Sequence, residues 1–485
     1  MAEILLTHSN HLYSDRKQVR KMQPYPPLQT LIAAAVLRER GYSVAVCDPA
    51  LAESPESAFQ AALDEHRPRI VGVIEDNFNF LTKMCLTRNR ELAFVMCAAA
   101  RRAGIRTFAN GSDATDRASE YLEAGFDFVV LGEPEGAFDQ VLRRDGGGLV
   151  RGDRVEIDSL PEPAWDLIDA IGYRQAWKQA HGYFSMNLVS SRGCPYRCNF
   201  CGVVAFSGSR EKMESPARTE GTLRHLVEKY GADAVQFYDN NFFLREDHTR
   251  ELADRMAPLK LRWWCEGRTD IMMKYSDATF EALRRAGCTM IFFGAESGSN
   301  EILKEMNKDL RAEDTIALAS RIRRFGIIPE FSIIFGNPKD PEGDTHGCIG
   351  FIRQLKRLNP DAEIIVEHYT PVPQRSRMYG GVEDKIQFPT TPDEWATERW
   401  QRFATQKDPQ TPWLRPATKN LIDNFELVVS SRWPTVQDIR LPNWGRMALK
   451  ALSSWRYRLG VYAAPFELKW MQQLIELRKP KAESL

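Results

Sequence analysis

The chain has 485 residues, enough for two or three domains with cores of their own. Hydrophobic residues make up 43% and charged residues 27%, a balance typical of soluble globular proteins. Because Lys+Arg and Asp+Glu both number 65, the net charge gives no general attraction to nucleic acid, and no nucleic-acid partner is expected.

The chain is also expected to be cytoplasmic. No window is both long enough and free enough of charge to span a membrane, and the first residues lack the basic and apolar segments of a secretion signal. The nine cysteines are an odd number scattered through a long chain, which indicates a reducing compartment rather than a disulfide framework.

The N-terminal third alternates short apolar runs with helical stretches, a pattern that predicts a doubly wound parallel α/β sheet. The predicted strands are at 4–6, 43–46, 70–74, 106–109 and 128–131, and the predicted helices are at about 28–40, 91–103 and 117–124. We expect this domain to cover residues 1–145, followed by a Gly- and Pro-rich linker at 146–180.

Ligands bind such sheets at the carboxyl ends of the strands. In this chain those ends carry His8, Asn110, Gly111, Gly132 and Glu133. None of the strand ends has the Gly-x-Gly-x-x-Gly spacing, so a nicotinamide or flavin site is poorly supported.

The stretch Ser191-Arg192-Gly193-Cys194-Pro195-Tyr196-Arg197-Cys198-Asn199-Phe200-Cys201 places three thiols on one short loop. A 4Fe-4S cluster held by Cys194, Cys198 and Cys201 keeps one iron free of protein, and that iron can bind a small chelating ligand. The alternative is a zinc site completed by a distant residue such as His181.

Strands and helices alternate again over residues 181–385, on both sides of this loop. The predicted strands are at 186–189, 234–237, 262–264, 290–293, 331–335 and 363–366. Six such units resemble a partial (β/α)6 barrel, in which the site lies at the carboxyl ends of the strands. Those ends carry Asp239, Arg268, Glu296 and Gly336. A guanidinium suits a carboxylate, so Arg268 either binds a carboxylate ligand or forms an ordinary ion pair at the barrel rim.

The Cys-x-x-x-Cys-x-x-Cys loop resembles the signature of the radical S-adenosylmethionine (SAM) enzymes. The resemblance implies that the open iron chelates SAM and that one electron from the cluster cleaves it to a 5'-deoxyadenosyl radical. It also implies SAM contacts from Phe200 against the adenine, and from Asp239, Arg268, Glu296 and Gly336, since Gly-Ala-Glu-Ser-Gly and Gly-Asn-Pro match motifs of that family.

The N-terminal layout resembles the cobalamin-binding domain of one radical SAM subgroup, through Pro26-Pro27-Leu28 and Leu131-Gly132-Glu133. The Asp-x-His-x-x-Gly element that supplies an axial histidine is missing, so cobalamin would bind either without a protein ligand or through His8 or His11. Asn110-Gly111 stands where relatives have a different turn. A degenerate domain that binds nothing is the alternative.

From about residue 386 to 485 the sequence is rich in tryptophan and basic residues and predicts a helical region that caps the barrel and selects the substrate. The segments 453–458 and 466–470 mix aromatic and cationic residues. They predict either packed amphipathic helices or contact with a membrane surface that gives access to a lipid substrate.

The resemblance therefore implies a radical SAM enzyme with a 4Fe-4S cluster, SAM and cobalamin, most simply a C-methyltransferase acting on an unactivated carbon of a small molecule or lipid. It would draw electrons from a donor such as flavodoxin or ferredoxin. One alternative is cobalamin-dependent cyclisation, oxidation or rearrangement, as in the anaerobic chlorophyll-ring cyclases. The other is a non-catalytic corrinoid or iron-sulfur sensor.

Overall fold

The first of two parallel sheets lies in the N-terminal part of the chain. The computed structural model describes residues 2–14, 16–75, 85–201, 203, 210–370, 386–387, 397, 399–400, 411–434 and 443–477. The strands of the first sheet are β1 Ile4–Thr7, β2 Val44–Cys47, β3 Ile70–Ile74, β4 Arg106–Asn110, β5 Phe128–Gly132 and β6 Gly148–Gly152. Their order is β2-β1-β3-β4-β5-β6, so the direction of winding reverses beside β1, where doubly wound folds bind ligands.

Short apolar runs form these strands because both faces of the sheet are covered by helices. All five residues of β3 are buried. Leu6 and Phe108 belong to the apolar layer on one face, and Leu5 and Val73 belong to the layer on the other face. The two layers fix the register of the sheet, because a shift of one residue would exchange them.

The second sheet has six parallel strands in the order β14-β13-β12-β11-β10-β7 and forms the partial barrel. The strands are β7 Ser185–Leu188, β10 Ala234–Phe237, β11 Arg262–Gly267, β12 Cys288–Glu296, β13 Ile328–Phe335 and β14 Glu363–His368. A short antiparallel pair, β8 Ser191–Arg192 and β9 Lys212–Met213, carries the start of the cysteine loop.

Helices connect and cover both sheets. In chain order they are α1 Arg16–Lys21, α2 Leu28–Glu39, α3 Pro55–His66, α4 Cys85–Arg102, α5 Ser112–Asp116, α6 Ala118–Glu123, α7 Phe138–Arg143, α8 Ala170–His181, α9 Pro216–Tyr230, α10 Glu246–Met256, α11 Thr269–Met272, α12 Asp277–Arg285, α13 Asn300–Glu305, α14 Ala312–Ile322, α15 Pro341–Leu358, α16 Pro416–Arg432, α17 Asn443–Leu459 and α18 Phe466–Leu477. Several begin at a capping side chain followed by proline; for example, Asp340 accepts a hydrogen bond from the Gly343 amide at 2.9 Å at the start of α15.

The predicted fold class is confirmed: a doubly wound sheet, a partial barrel and C-terminal helices follow one another along the chain. The predicted domain limits stay predictions. The predicted linker 146–180 contains β6, which pairs with β5 and therefore belongs to the first sheet. In the part of the chain that the structure describes, no helix has the length and apolar character needed to cross a bilayer.

A buried ion pair joins the N-terminal domain to the β8–β9 pair at the start of the cysteine loop. Glu135, which follows β5 and is 0% exposed, accepts a 2.8 Å hydrogen bond from Arg192 of β8 and another of 2.8 Å from Gln29 of α2. Beside it, Glu133 accepts 3.1 Å hydrogen bonds from Lys212 of β9. The first sheet is therefore fixed against the residues that lead into Cys194.

A carboxyl group is also buried inside the barrel. Alternate residues of the strands, such as Ile291 and Phe331, pack in the core with the surrounding helices, and the intervening residues face inward. One of these is Glu330 of β13, 3% exposed, whose carboxyl group makes no hydrogen bond within the described residues. Burial, with the carboxylates of Glu363, Glu266 and Glu367, raises its pKa to about 8, and Lys21 opposes the rise.

We expect Glu135→Gln to destabilise the protein by about 3 kcal/mol, because it leaves the buried guanidinium of Arg192 without its principal counter-charge. Chemical denaturation measures the change. The matched control is Asp166→Asn, which removes the exposed Arg38–Asp166 ion pair and should cost about 0–1 kcal/mol. Equal effects of the two substitutions would contradict a structural role for the buried pair.

We expect the unfolding free energy to fall between pH 5.5 and 8.5, and to fall less in Glu330→Gln. In this window folded Glu330 holds a proton that the unfolded chain, with an ordinary glutamate pKa of 4.5, has lost. Raising the pH therefore favours the unfolded state. Thermal unfolding across the range measures the slope, with Glu228→Gln, whose side chain is 68% exposed, as the control. A slope in Glu330→Gln equal to that of the parent protein would exclude this assignment.

Candidate active site

The cysteine loop begins with a turn that requires glycine. Gly193 has φ +83°, and a Cβ at this position would lie 2.2 Å from the Arg210 carbonyl oxygen. The turn brings Cys194, Cys198 and Cys201 to the carboxyl ends of the barrel strands, with Cys198 buried and the other two thiols partly buried.

Two cations neighbour the thiols. Arg268, which follows β11, donates a 3.5 Å hydrogen bond from Nη1 to Cys198 Sγ. Burial raises the pKa of Cys201 to about 11 and also raises the pKa of Cys194, while the charge of Lys308 lowers both. The cations therefore favour the thiolate form, which is the form that binds metal.

These residues fit a 4Fe-4S cluster better than a single metal ion. Among the described residues, no three His, Cys, Asp or Glu side chains converge closely enough to hold one ion. A cubane cluster does not require such convergence, because each thiolate binds a different iron. His181, the candidate fourth zinc ligand, has its Nε2 at 3.0 Å from the Lys21 and Met22 carbonyl oxygens. The zinc alternative is therefore not supported.

Arg268 is bound on several sides. Its Nε donates to Asp270 at 3.0 Å, its Nη2 donates to the Lys308 carbonyl oxygen, and its guanidinium carbon lies 3.6 Å from the centre of the Tyr196 ring. The predicted contact with a SAM carboxylate stays a prediction. In the structure these contacts hold Arg268 in a fixed position against Cys198.

Asp239 supports the start of the cysteine loop. Its carboxylate accepts hydrogen bonds from the Ser190 amide at 3.1 Å, the Ser190 hydroxyl at 2.8 Å and the Ser191 hydroxyl at 2.5 Å. Burial raises its pKa to about 6, against the effect of these hydrogen bonds. Its oxygens are used by the loop, so a direct SAM contact for Asp239 stays a prediction.

Glu296 and Lys308 form a buried pair above Phe200. Lys308 Nζ lies 2.7 Å from Glu296 Oε1 and 5.4 Å from the centre of the Phe200 ring. Glu296 has φ +59°, an uncommon conformation for a residue with a Cβ, at the end of β12. A carboxylate, an ammonium group and an aromatic ring therefore lie together beside the thiols.

The turn after β13 carries a side-chain amide without a hydrogen-bond partner in the described residues. Asp344 of α15 accepts hydrogen bonds from the Gly336 amide at 2.8 Å and the Asn337 amide at 2.9 Å, and Gly336 has φ +80°. Within the described residues, Asn337 Nδ2 and both amide atoms of Asn241 are buried and have no hydrogen-bond partner. Such unpartnered groups at two strand ends fit a polar ligand such as SAM.

Both histidines proposed as cobalt ligands are already engaged. His8, 0% exposed, has Nε2 at 2.9 Å from Asp48 Oδ1 and accepts a 3.2 Å hydrogen bond from the Asn10 amide at Nδ1. His11 has its ring nitrogens at 2.9 Å from Ser14 Oγ and from the Ala52 carbonyl oxygen. Of the two predicted modes, this arrangement favours cobalamin without a ligand from either histidine.

The remaining cobalamin candidates line the carboxyl edge of the first sheet. Asn110 donates to the Val130 and Gly132 carbonyl oxygens at 2.9 and 3.0 Å, and its buried Oδ1 has no partner in the described residues. A Cβ on Gly111, which has φ +146°, would lie 2.5 Å from Glu75 Cβ. The unpartnered oxygen and the open glycine at 132, φ +82°, fit a large polar ligand. Glu133 is instead held by Lys212.

Sequence reasoning missed residues that act through long-range contacts. Lys308 and Glu135 belong to no motif, and only the fold brings them to the loop. Arg192 lies in the quoted loop sequence, but its pairing with Glu135 has no local signal. Glu266, near the predicted Arg268, is half-buried, and desolvation with the charge of Asp239 raises its pKa to about 7. The sequence signal that could have identified Glu266 was its position at the same strand end as Arg268.

Two family models match the chain. The Radical SAM superfamily model matches residues 188–352, and the B12 binding domain model matches residues 22–142. The first match contains the three-cysteine loop, and the second contains strands β2–β5 and their carboxyl ends.

Curated relatives share the same regions. The hopanoid C-3 methylase of Methylococcus capsulatus (strain Bath) is 24% identical over 335 residues, covering 66% of this chain and 62% of the methylase. The anaerobic magnesium-protoporphyrin IX monomethyl ester cyclase of Synechocystis sp. is 23% identical over 268 residues, covering 51% of this chain and 52% of the cyclase. The alignments span between 35% and 62% of the length of the curated relatives.

A solved structure has the same fold over almost the whole chain. The cobalamin-dependent S-adenosylmethionine radical enzyme OxsB, with aqua-cobalamin and S-adenosylmethionine bound, superposes with a TM-score of 0.67 at 14% identity, covering 98% of this chain and 75% of OxsB. The two family models and this fold agree with the structure, in which a doubly wound domain is followed by a barrel that carries the three-thiol loop. The chain therefore carries a B12-binding domain followed by a radical SAM domain.

Proposed function

We propose that the chain transfers a methyl group from SAM to an unactivated carbon, using a 4Fe-4S cluster, SAM and cobalamin. The observation that carries the proposal is the buried Arg192–Glu135 pair, which fixes a strand end of the B12-binding domain two residues from Cys194. A reaction that needs a corrinoid and SAM side by side needs this proximity.

In this proposal Cys194, Cys198 and Cys201 hold the cluster. Phe200, Glu296 and Gly336 contact SAM, while Asn110, Gly111 and Gly132 line the corrinoid site. When bound, the cluster supplies the electron that cleaves SAM, and the corrinoid carries a methyl group.

The protein's own contribution is position and charge. Arg268 and Lys308 stabilise thiolates in a buried loop, since opposite charges favour the ionised form. Asp239 holds Ser190 and Ser191 through hydrogen bonds and so positions the start of the loop. Asp344 fixes the turn at Gly336 by accepting hydrogen bonds from the Gly336 and Asn337 amides.

The proposal also extends to partners and location. The substrate is a small molecule or a lipid, and an electron donor such as flavodoxin or ferredoxin reduces the cluster. Iron-sulfur chemistry and scattered cysteines favour the cytoplasm, with peripheral contact to a membrane as the route to a lipid substrate.

A second candidate is cobalamin-dependent cyclisation, oxidation or rearrangement. It is favoured by the similarity to the magnesium-protoporphyrin cyclase, which spans 51% of this chain, close to the 66% spanned by the hopanoid methylase. The non-catalytic sensor is less well supported, because the buried Glu296–Lys308 pair and the unpartnered Asn337 and Asn241 amides provide for a ligand beside the thiols.

We expect Cys198→Ala to abolish formation of 5'-deoxyadenosine from SAM under reducing, anaerobic conditions, and to lower bound iron from about four atoms per chain, because a cubane cluster loses one of its three thiolates. Chromatography of the products and iron analysis measure both. Cys288→Ala, a buried cysteine on β12 outside the loop, is the control and should keep both properties. Undiminished deoxyadenosine from Cys198→Ala would overturn the cluster assignment.

We expect transfer of a CD3 group from S-[methyl-D3]adenosylmethionine to a compound in an extract of the source cells. The reaction uses enzyme purified with cobalamin, with Cys198→Ala as the blank and mass spectrometry as the readout. Labelled product that depends on Cys198 supports methyl transfer. Deoxyadenosine without CD3 incorporation supports cyclisation or rearrangement instead, and bound iron and cobalt without SAM cleavage supports a sensor.

A further inference from the structure

The C-terminal helices carry an unusual amount of exposed apolar surface. Of the eleven large hydrophobic side chains exposed in the described residues, seven lie between residues 444 and 470. They are Trp444 (44% exposed), Met447 (73%), Trp455 (45%), Leu459 (73%), Val461 (38%), Phe466 (74%) and Trp470 (62%). This concentration distinguishes a patch from the scattered apolar residues of ordinary surfaces.

The patch is continuous along one side of α17 and over the turn to α18. Trp444, Met447, Trp455 and Leu459 recur at helical spacing, so they share one face, and Leu449 and Ser453 on the opposite face are buried against the protein. Phe466 lies at the start of α18, just past the turn. The surface is therefore formed by exposed apolar side chains of both helices and of the turn between them.

The charges around the patch are of one sign. Lys450, Arg458 and Lys469 are exposed and make no ion pair with any described residue. The segment 443–474 contains a single acidic residue, Glu467, and its carboxylate accepts a 2.9 Å hydrogen bond from Arg456. The surface thus presents apolar and aromatic groups among free cations.

The turn at the tip of the patch is held in place from below. Buried Arg456 donates to the Ala463 carbonyl oxygen at 2.8 Å and to the Ala464 carbonyl oxygen at 3.2 Å. Arg353 of α15 donates to the Tyr462 hydroxyl at 2.6 Å. The exposed residues are therefore presented by a fixed backbone, which lowers the entropy lost when they bind a surface.

We infer that this patch, residues 444–470, docks on the surface of an anionic lipid bilayer. Helices that lie in the interface of a membrane combine Trp, Phe and Leu on one face with Lys and Arg at its border. Tryptophan favours the headgroup level, and each basic residue near an anionic surface strengthens binding.

A second copy of the chain is a poorer occupant. A two-fold interface places the same patch against itself, so Lys450, Arg458 and Lys469 would face like charges, and the acidic residue of segment 443–474, Glu467, is already paired with Arg456. The inference does not rest on the proposed methyl transfer, because a vesicle is bound or not bound whichever reaction the site catalyses.

The test is co-sedimentation of the full chain with vesicles of phosphatidylcholine and phosphatidylglycerol in equal parts, compared with phosphatidylcholine alone. We expect binding at least about tenfold tighter to the anionic vesicles, since removing the surface charge costs roughly fivefold for each of the three cations. The double variant Phe466→Ser, Trp470→Ser should bind at least about tenfold more weakly, since two exposed apolar anchors are lost.

The matched control is Ile171→Ser, because Ile171 is 65% exposed and lies outside the patch on α8. It should bind vesicles like the parent protein. Size-exclusion chromatography of the same proteins reports the oligomeric state. The inference is overturned if the anionic vesicles fail to sediment the chain, if the double variant binds like Ile171→Ser, or if the patch residues are needed for a dimer instead.

Discussion

The position of the cysteine loop depends on a buried ion pair made by its own second residue. Arg192 leaves the loop toward Glu135, which is fully buried, while Ser190 and Ser191 are held from the other side by Asp239. Such a pair adds little net stability, because both charges lose their hydration, but removing one partner is costly. Its effect is geometric: the B12-binding domain cannot separate from the barrel without disturbing the residues next to Cys194.

This arrangement places the cofactor candidates of two domains within one connected structure. Glu133 and Glu135 follow β5 directly, so the strand that ends at Gly132 is continuous with the residues that bind Lys212 and Arg192. On the barrel side, the positive charges of Lys308 and Arg268 favour the thiolate form of the cysteines in the same loop, whereas burial disfavours it. The residues next to the cysteine loop thus set both its position and the charge around its thiols. A ligand that contacts both domains would bind to groups that are already in place.

The fold followed from the sequence because apolar periodicity and short loops are local properties. The strands at 4–6, 70–74 and 363–366 were predicted within a few residues, whereas β6 was missed because Gly148–Gly152 is stabilised by pairing with β5 rather than by an apolar pattern. The three cysteines were found for the same reason, since their spacing is local. Glu135 and Arg192 lie 57 residues apart, and no local pattern joins them.

The sequence alone could not distinguish the two interpretations of the C-terminal segment, a packed amphipathic helix or a membrane-facing one, because the same residues suit both. In the structure α17 has a packed face, which includes Leu449, and an exposed apolar face, which includes Met447. Helix α15 connects this region to the site: Asp344 near its start holds the turn at Gly336, and Arg353, roughly 13 Å further along the helix, holds Tyr462 at the tip of the patch. A helix of this length is rigid, so docking through the patch would fix the orientation and distance of the barrel opening relative to the bilayer. For a lipid substrate, that fixed geometry limits the search for the site, since the membrane already restricts where the substrate can be.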